Sequence, residues 1–517
     1  MAVGLSAALG PAAAVAVLAE KRFLKRKEIQ SPTYAPVSTQ MPSAEPLDNS
    51  LNATRMPIQP SSEPSSQPST QPSAVPSSQS LSQPSSEPSS QPFAQLSGMP
   101  SRQSLSEPSS EPSSQPSAEP SAIPSSYTEP SILPTWTQNP TITSSNAPSD
   151  APTKLFIPGE MLLVDEELGI KLSSGLEGRL IAEVGEKVEF ATGKKSELKF
   201  HSRHDGAGVV NLEDRGYVYV SNSEESKTNG AGVYGIFFNL DNDIIGYENL
   251  LTNTKRNCGG GLSPWNTWIS CEEFNRGHCY QVDADPMSPN YMQTQKTVLG
   301  EGRGGRFESV AFDNRIENRT TVYVTEDAKF GAMRRFESPT VGYDSLHKAG
   351  DMSYLEFVDD RHFQWTTNLT AARESANDVY PNSEGISVHD GTLYFTAKST
   401  QKLFILDLDS LTYKLETTGL SFEGKGSFNA QPDQVMRGDR RFLYFTESGG
   451  NNPGIYVRDL YTGKYMTIFE ADEDDGRYAK DETVGLAFSP DRSRMYAGYQ
   501  TAGVLFELKR SDGQAFP

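Results

Sequence analysis

The chain is poor in the residues that most often announce a function. Only three of its 517 residues are cysteine, Cys258, Cys271 and Cys279. So few, and an odd number, exclude a disulfide framework and leave at most one bridge, Cys271–Cys279. Six histidines are spread along the chain, and no Ser-His-Asp set stands out among them. Acidic residues outnumber basic ones, 66 to 46. The net charge is −20, and residues 151–517 carry −16 of it. That excess excludes a nucleic-acid partner, because phosphate backbones seek Lys and Arg. It is compatible with bound cations.

Residues 31–154 are poor in apolar side chains and dominated by Ser, Pro, Gln and Glu. Such a segment cannot bury enough surface to offset the entropy of ordering. Prolines recur every fourth position at Pro60, Pro64, Pro68, Pro72 and Pro76, and the phase returns from Pro84 to Pro124. This spacing excludes helix and sheet ladder and favours an extended disordered stalk. The composition is that of O-glycosylated stalks outside cells, and an intracellular spacer is the plainer alternative. Sequons stand at Asn52, Asn318 and Asn368. Before the stalk, residues 1–30 hold one uncharged run, Ala2–Ala19, followed by Lys21, Arg22, Lys25, Arg26 and Lys27. The run is near the lower limit for a membrane span. Its charges follow rather than precede it, unlike a cleavable signal peptide, and the positive-inside rule would leave them cytosolic. A membrane anchor or export signal and a bland Ala-rich leader both remain open. A secreted or cell-surface monomer is the expectation.

What is present lies in residues 155–517. Runs such as Tyr217–Val220, Thr267–Ser270, Thr321–Val324, Thr392–Phe395 and Arg441–Phe445 are β-branched and aromatic, and turn residues follow most of them. Second strands then follow, as at 232–238, 403–407, 454–457 and 503–507. No long helical pattern interrupts them. The aromatic anchors Tyr219, Trp268, Tyr323, Tyr394, Tyr444 and Tyr496 align at intervals of 49, 55, 71, 50 and 52. A period of about 50 residues with several strands per unit predicts an all-β fold, a six-bladed β-propeller. A double-sheet sandwich is the structural alternative. Residues 179–185 are expected to supply a strand that helps close the ring.

Ten to fifteen residues before each anchor sits one side chain of ligand type: Asp205, Cys258, Glu308, Glu384, Asp433 and Glu482. Most precede a short apolar run that reads as an innermost strand, so the six would converge on one channel mouth. Carboxylates crowded there cannot all ionise unaided. Bound cations are the remedy: oxygen ligands suit calcium, and a thiolate brings in a softer transition metal. The plainer reading is that each acid caps a turn.

The segment 256–273, RNCGGGLSPWNTWISCEE, resembles the signature of the PhoX-type alkaline phosphatase family. Further matches follow in the family's order at Asp205–Ala207, Val218–Glu224, Gly305–Glu308, Val322–Asp327, Ser383–Ile386 and Ala487–Asp491. The resemblance covers roughly residues 169–508. It implies a six-bladed propeller whose channel holds iron and calcium and hydrolyses small phosphate esters. On that resemblance Cys258 is the thiolate ligand of iron, and Glu273, Glu308 and Glu384 are carboxylate ligands. Asp205, Glu224, Asp327, Asp433 and Glu482 are further candidates. Glu272 alternates with Glu273, so one of the two is expected to face solvent. Trp265 and Trp268 read as blade core. Gly259, Gly260 and Gly261 read as close backbone approach rather than as a phosphate loop. Two departures bear on catalysis. Asn382 stands where the family often has an arginine, and the stretch Gly305–Glu308 lacks the family's histidine and one further residue. A calcium-dependent lactonase-like or esterase-like propeller and a non-catalytic metal-bound surface module are the alternatives.

Overall fold

The computed structural model describes residues 155–160, 162–439 and 441–517. The expected leader and stalk, and the sequon at Asn52, lie outside the described residues. The described part is a β-propeller, built from successive antiparallel meanders. The first is Tyr217–Ser223 flanked by His204–Asn211 and Gly232–Phe238, with Ile244–Leu251 outermost. The second runs Asn257–Leu262, Trp268–Gly277, Cys279–Val282 and Gln295–Lys296. The third runs Gly305–Asp313, Thr320–Glu326, Arg334–Ser338 and Asp351–Phe357, with Phe363–Thr366 added at its edge. The fourth runs Ser383–His389, Thr392–Ala397, Lys402–Asp407 and Thr412–Thr417. The fifth runs Gln431–Arg437, Phe442–Ser448, Gly454–Asp459 and Tyr465–Ala471. The sixth runs Thr483–Phe488, Met495–Tyr499 and Val504–Arg510.

The sixth meander is completed from the other end of the described chain. Leu176–Glu183 pairs antiparallel with Val504–Arg510, matching Val504 with Glu183 and Arg510 with Leu176. This is the ring-closing strand expected around residues 179–185. Just before it, Ile170–Ser173 pairs with Tyr465–Ala471 at the edge of the fifth meander. Closure in this manner gives the sixth meander its fourth strand and covers the edges of Val504–Arg510 and Tyr465–Ala471.

Burial explains why the second strand of each meander carries an aromatic anchor. There both faces meet neighbouring sheets. Tyr217–Ser223 and Thr320–Glu326 are buried at every position. Strands covered on both faces read as continuous apolar and aromatic runs rather than as alternation. Tyr219, Tyr444 and Tyr496 are wholly buried. Trp268 packs with Val218, Val220 and Val282 in the layer between the first and second meanders.

One expectation fails. A helix, Leu369–Val379, stands between the third and fourth meanders. Asn368 caps it by accepting a hydrogen bond from Ala371 N, and its buried face is only Ala372 and Ala376. Two alanines give too weak an apolar stripe to stand out from a charged, polar stretch. The helix and the added edge strand account for the long interval of 71 between Tyr323 and Tyr394. Among the described residues no helix is long and apolar enough to cross a membrane.

Candidate metal centre at the channel mouth

The first strands of the meanders touch in turn, and the sixth returns to the first. Each of these strands breaks register with its neighbour near its beginning. The shifts fall between His204 and Ala207, Asn257 and Gly260, Phe307 and Val310, Ser383 and Ile386, and Pro432 and Val435. Inside those five bulges lie Asp205, Cys258, Glu308, Glu384 and Asp433. A bulge re-aims a side chain out of the pleat, and here the ligand-type residues of successive strands come together. In the sixth meander the shift lies between Val484 and Ala487, and Glu482 immediately precedes the strand.

Small residues follow the candidates because the strands crowd together. A Cβ on Gly206 would lie 2.7 Å from Gly259 Cα, and one on Gly259 would lie 2.3 Å from Glu308 O and 2.5 Å from its Oε1. A Cβ on Gly385 would lie 2.2 Å from Val435 N. Gly260 and Gly261 meet the Trp268 ring and Val310 O in the same way. The glycine run is therefore a packing requirement.

Hydroxyl and amide side chains on the second strands fix the bulges. Thr325 Oγ1 accepts from Ser309 N at 2.9 Å and donates to Glu384 O at 2.6 Å, joining the third meander to the fourth. Thr396 Oγ1 donates to Asp433 O at 2.6 Å. Asn222 Nδ2 donates to Cys258 O and Gly259 O at 2.7 and 2.6 Å. Trp268 Nε1 donates to Asn222 Oδ1 at 2.9 Å, so this tryptophan is both core and brace.

Two groups of side chains have ligand atoms within 4.8 Å of one another: Glu224 with Cys258 and Glu273, and Glu308 with Glu384 and Asp433. The remaining candidates touch these groups. Cys258 Sγ donates to Asp205 Oδ2 at 3.2 Å, Asp327 Oδ2 lies 2.8 Å from Lys398 Nζ, and the carboxyls of Glu482 and Asp433 interact. All nine residues singled out in the sequence thus belong to one cluster. Burial raises the Asp205, Glu308, Glu384, Asp433 and Glu482 carboxyls, and the surrounding carboxylates add to it. Burial likewise lifts the Cys258 thiol, with Asp205 next in effect. Glu308 Oε1 is buried with no hydrogen-bond partner.

Four basic side chains stand among the acids, and the sequence reading assigned none of them a role. Arg203 and Arg256 hold Glu224, and burial of that carboxylate is outweighed by them, so it sits below its ordinary range. Arg256 also reaches Glu273 Oε2 at 2.7 Å, and Arg306 holds the other oxygen. Arg306 is there because the long strand Trp268–Gly277 overruns its meander and pairs Glu273 with Arg306. Lys398 Nζ lies 2.7 Å from Glu384 Oε1. Gln500 Nε2 donates to Asp205 Oδ2 at 3.0 Å and to Glu224 Oε2 at 3.3 Å. Arg256 and Arg306 were visible inside the quoted motifs. Lys398 and Gln500 each stand four residues after an anchor, Tyr394 and Tyr496, a spacing that could have revealed them, and Arg203 carries no such signal.

Glu272 does not face solvent: it is 3 % exposed, and it accepts from Lys255 N and His278 N at 2.8 and 3.0 Å. Cys271 and Cys279 face each other across a strand pair as free thiols, with sulfurs 3.3 Å apart. Asn382 adopts a left-handed backbone (φ 57°), and its Nδ2 donates to Asp327 Oδ1 at 2.7 Å.

No family model and no curated protein matches this sequence. Solved structures do. The structure of Pseudomonas fluorescens PhoX in complex with vanadate, a transition state analogue, aligns with a TM-score of 0.53 at 13 % identity, over 70 % of this chain and 98 % of that one. A protein of unknown function from Bacteroides thetaiotaomicron aligns with a TM-score of 0.42 at 12 % identity, over 65 % and 76 %. The gluconolactonase XC5397 from Xanthomonas campestris aligns with a TM-score of 0.36 at 13 % identity, over 70 % and 99 %. At 13 % identity the likeness to the PhoX structure is one of fold, and it supports the β-propeller.

Proposed function

We propose that this chain is a six-bladed, metal-dependent phosphomonoester hydrolase of the PhoX type, acting on small phosphate esters outside the cell or at its surface. The observation that carries the reading is a charge imbalance. Eight carboxylates, Asp205, Glu224, Glu273, Glu308, Asp327, Glu384, Asp433 and Glu482, share the mouth with four basic side chains. Buried carboxylates left without partners are costly, and cations remove that cost. The orphaned Glu308 Oε1 marks where one is wanted.

The donor chemistry fits the two metals. Glu308, Glu384 and Asp433 offer oxygen alone, which suits calcium. Cys258 with Glu224 and Glu273 offers a thiolate among carboxylates, which suits iron. Bound there, the metals would polarise the phosphoryl oxygens and supply a water-derived nucleophile. The chain's own contribution is placement. The bulges aim the ligands, Asn222, Thr325 and Thr396 lock the bulges, and Gln500 orients Asp205 and Glu224. Arg256 and Arg306 keep Glu273 turned toward the mouth. The vanadate in the structure of Pseudomonas fluorescens PhoX favours phosphate esters over lactones as the substrate class.

The test is hydrolysis of a chromogenic phosphomonoester by the full chain loaded with iron and calcium, beside a Cys258→Ser variant. Turnover by the wild type and its loss in the variant are expected. Equal inertness of the two would contradict the reading, and hydrolysis of a lactone in its place would favour the lactonase-like alternative.

A further inference from the structure

We propose that Lys398 is the side chain that grips the phosphoryl group at this mouth, and that Asn382 is the residue that positions it. The inference rests on the reading of the mouth as a metallophosphatase centre.

The end of the second strand supplies a side chain to the cluster in several meanders. Glu224, Glu273, Asp327 and Gln500 stand there, four or five residues after their anchors. Lys398 occupies the same place in the fourth meander, four residues after Tyr394. A cation therefore stands where the first three meanders present carboxylates. Its ammonium lies 2.8 Å from Asp327 Oδ2 and 2.7 Å from Glu384 Oε1. Glu384 also belongs to the oxygen-only group with Glu308 and Asp433.

That double position decides the role. A metal ion held on Glu384 would lie a few ångströms from the ammonium, and two positive charges at that separation repel strongly in a shielded site. An anion lying between them removes the conflict. A phosphoryl oxygen has the charge for this, and lysine serves as a point charge for phosphate. Arg256 and Arg306 are less free. Arg256 is shared between Glu224 and Glu273, and Arg306 directs both Nε and Nη2 at Glu273. Two of the three ammonium donors of Lys398 face carboxylates, and the third is left for a ligand.

Asn382 holds the turn that carries Lys398. Its carbonyl accepts from Lys398 N at 3.0 Å, and its Oδ1 accepts from Ser399 Oγ at 2.7 Å. Its left-handed backbone is one that asparagine tolerates better than most side chains. The position without an arginine thus fixes a lysine supplied from the next strand.

The test is calorimetric binding of inorganic phosphate to the full chain loaded with iron and calcium, with metal content measured on every sample. Lys398→Gln should weaken phosphate binding by about tenfold or more, the loss of one charge-assisted contact, with metal content unchanged. Lys398→Arg should recover most of it. Asn382→Ala, which alters no charge, should also weaken binding, and it stands in if Lys398→Gln does not fold. Lys402→Gln, on the neighbouring strand, should bind phosphate like the wild type. Unaltered phosphate affinity in Lys398→Gln, loss of metal in step with loss of phosphate, or no phosphate binding by the wild type would overturn the proposal. A wild type that binds phosphate through Lys398 yet hydrolyses no ester would leave it standing and remove the phosphatase reading alone.

Discussion

Thr325 shows how much of the site depends on single uncharged side chains. Its hydroxyl satisfies the Ser309 amide in its own meander and the Glu384 carbonyl in the next. Valine has the same shape but neither bond. Thr325→Val should leave two buried backbone groups unpaired and cost roughly 2–4 kcal/mol in stability. Denaturant titration of the metal-loaded protein measures this, and a loss below about 0.5 kcal/mol would mean that the bulge is held by other contacts. Gly259 is a sterner case. A methyl group there collides with Glu308 O and Oε1, and neither backbone nor ligand can withdraw without opening the cluster. Gly259→Ala should lower bound calcium as well as melting temperature. Metal analysis separates that outcome from simple destabilisation, in which the metal would be retained.

At the scale of elements, the closing strand Leu176–Glu183 has the clearest consequence. It covers Val504–Arg510, which would otherwise present an open apolar edge. A chain beginning at residue 187 should lose its cooperative unfolding transition and associate through that edge. Size-exclusion chromatography and thermal denaturation report both effects. A monomer with the full-length transition would show that closure is dispensable. Much of this level was legible in the sequence. Second strands are covered on both faces, so their aromatic anchors repeat without interruption, and the six ligand-type residues keep step with them. The helix Leu369–Val379 was hidden because it buries only alanines. The pairing of Arg306 with Glu273 was hidden for another reason. Arg306 meets Glu273 only because a strand overruns into the next sheet, and no local pattern encodes that.

For the whole molecule, the acid cluster makes stability depend on metal and pH together. Burial raises the carboxyls of Asp205, Glu308, Glu384 and Glu482 when no cation is bound. The folded chain then holds protons that the unfolded chain releases near pH 4. Below that range their contribution is fully present, and it is lost as pH rises through the raised values. Chelation should therefore lower the melting temperature more at pH 8 than at pH 5, and a gap independent of pH would contradict this. His204 acts in the opposite direction. Burial lowers it to about 4, so the fold keeps it neutral and loses stability as pH falls from about 6.5 toward 4. The size of that loss is on the order of 3 kcal/mol. His204→Gln should flatten the acid limb of a stability profile.

The account turns on whether carboxylates and a thiol from successive strands share cations at one mouth. Elemental analysis of the purified full chain, set beside Glu308→Gln and Cys258→Ser, tests that most directly. The expected result is bound calcium and iron in the wild type, with calcium lost in the first variant and iron in the second. Wild-type protein that takes up neither metal when both are offered, and melts at the same temperature with and without chelator, would contradict it.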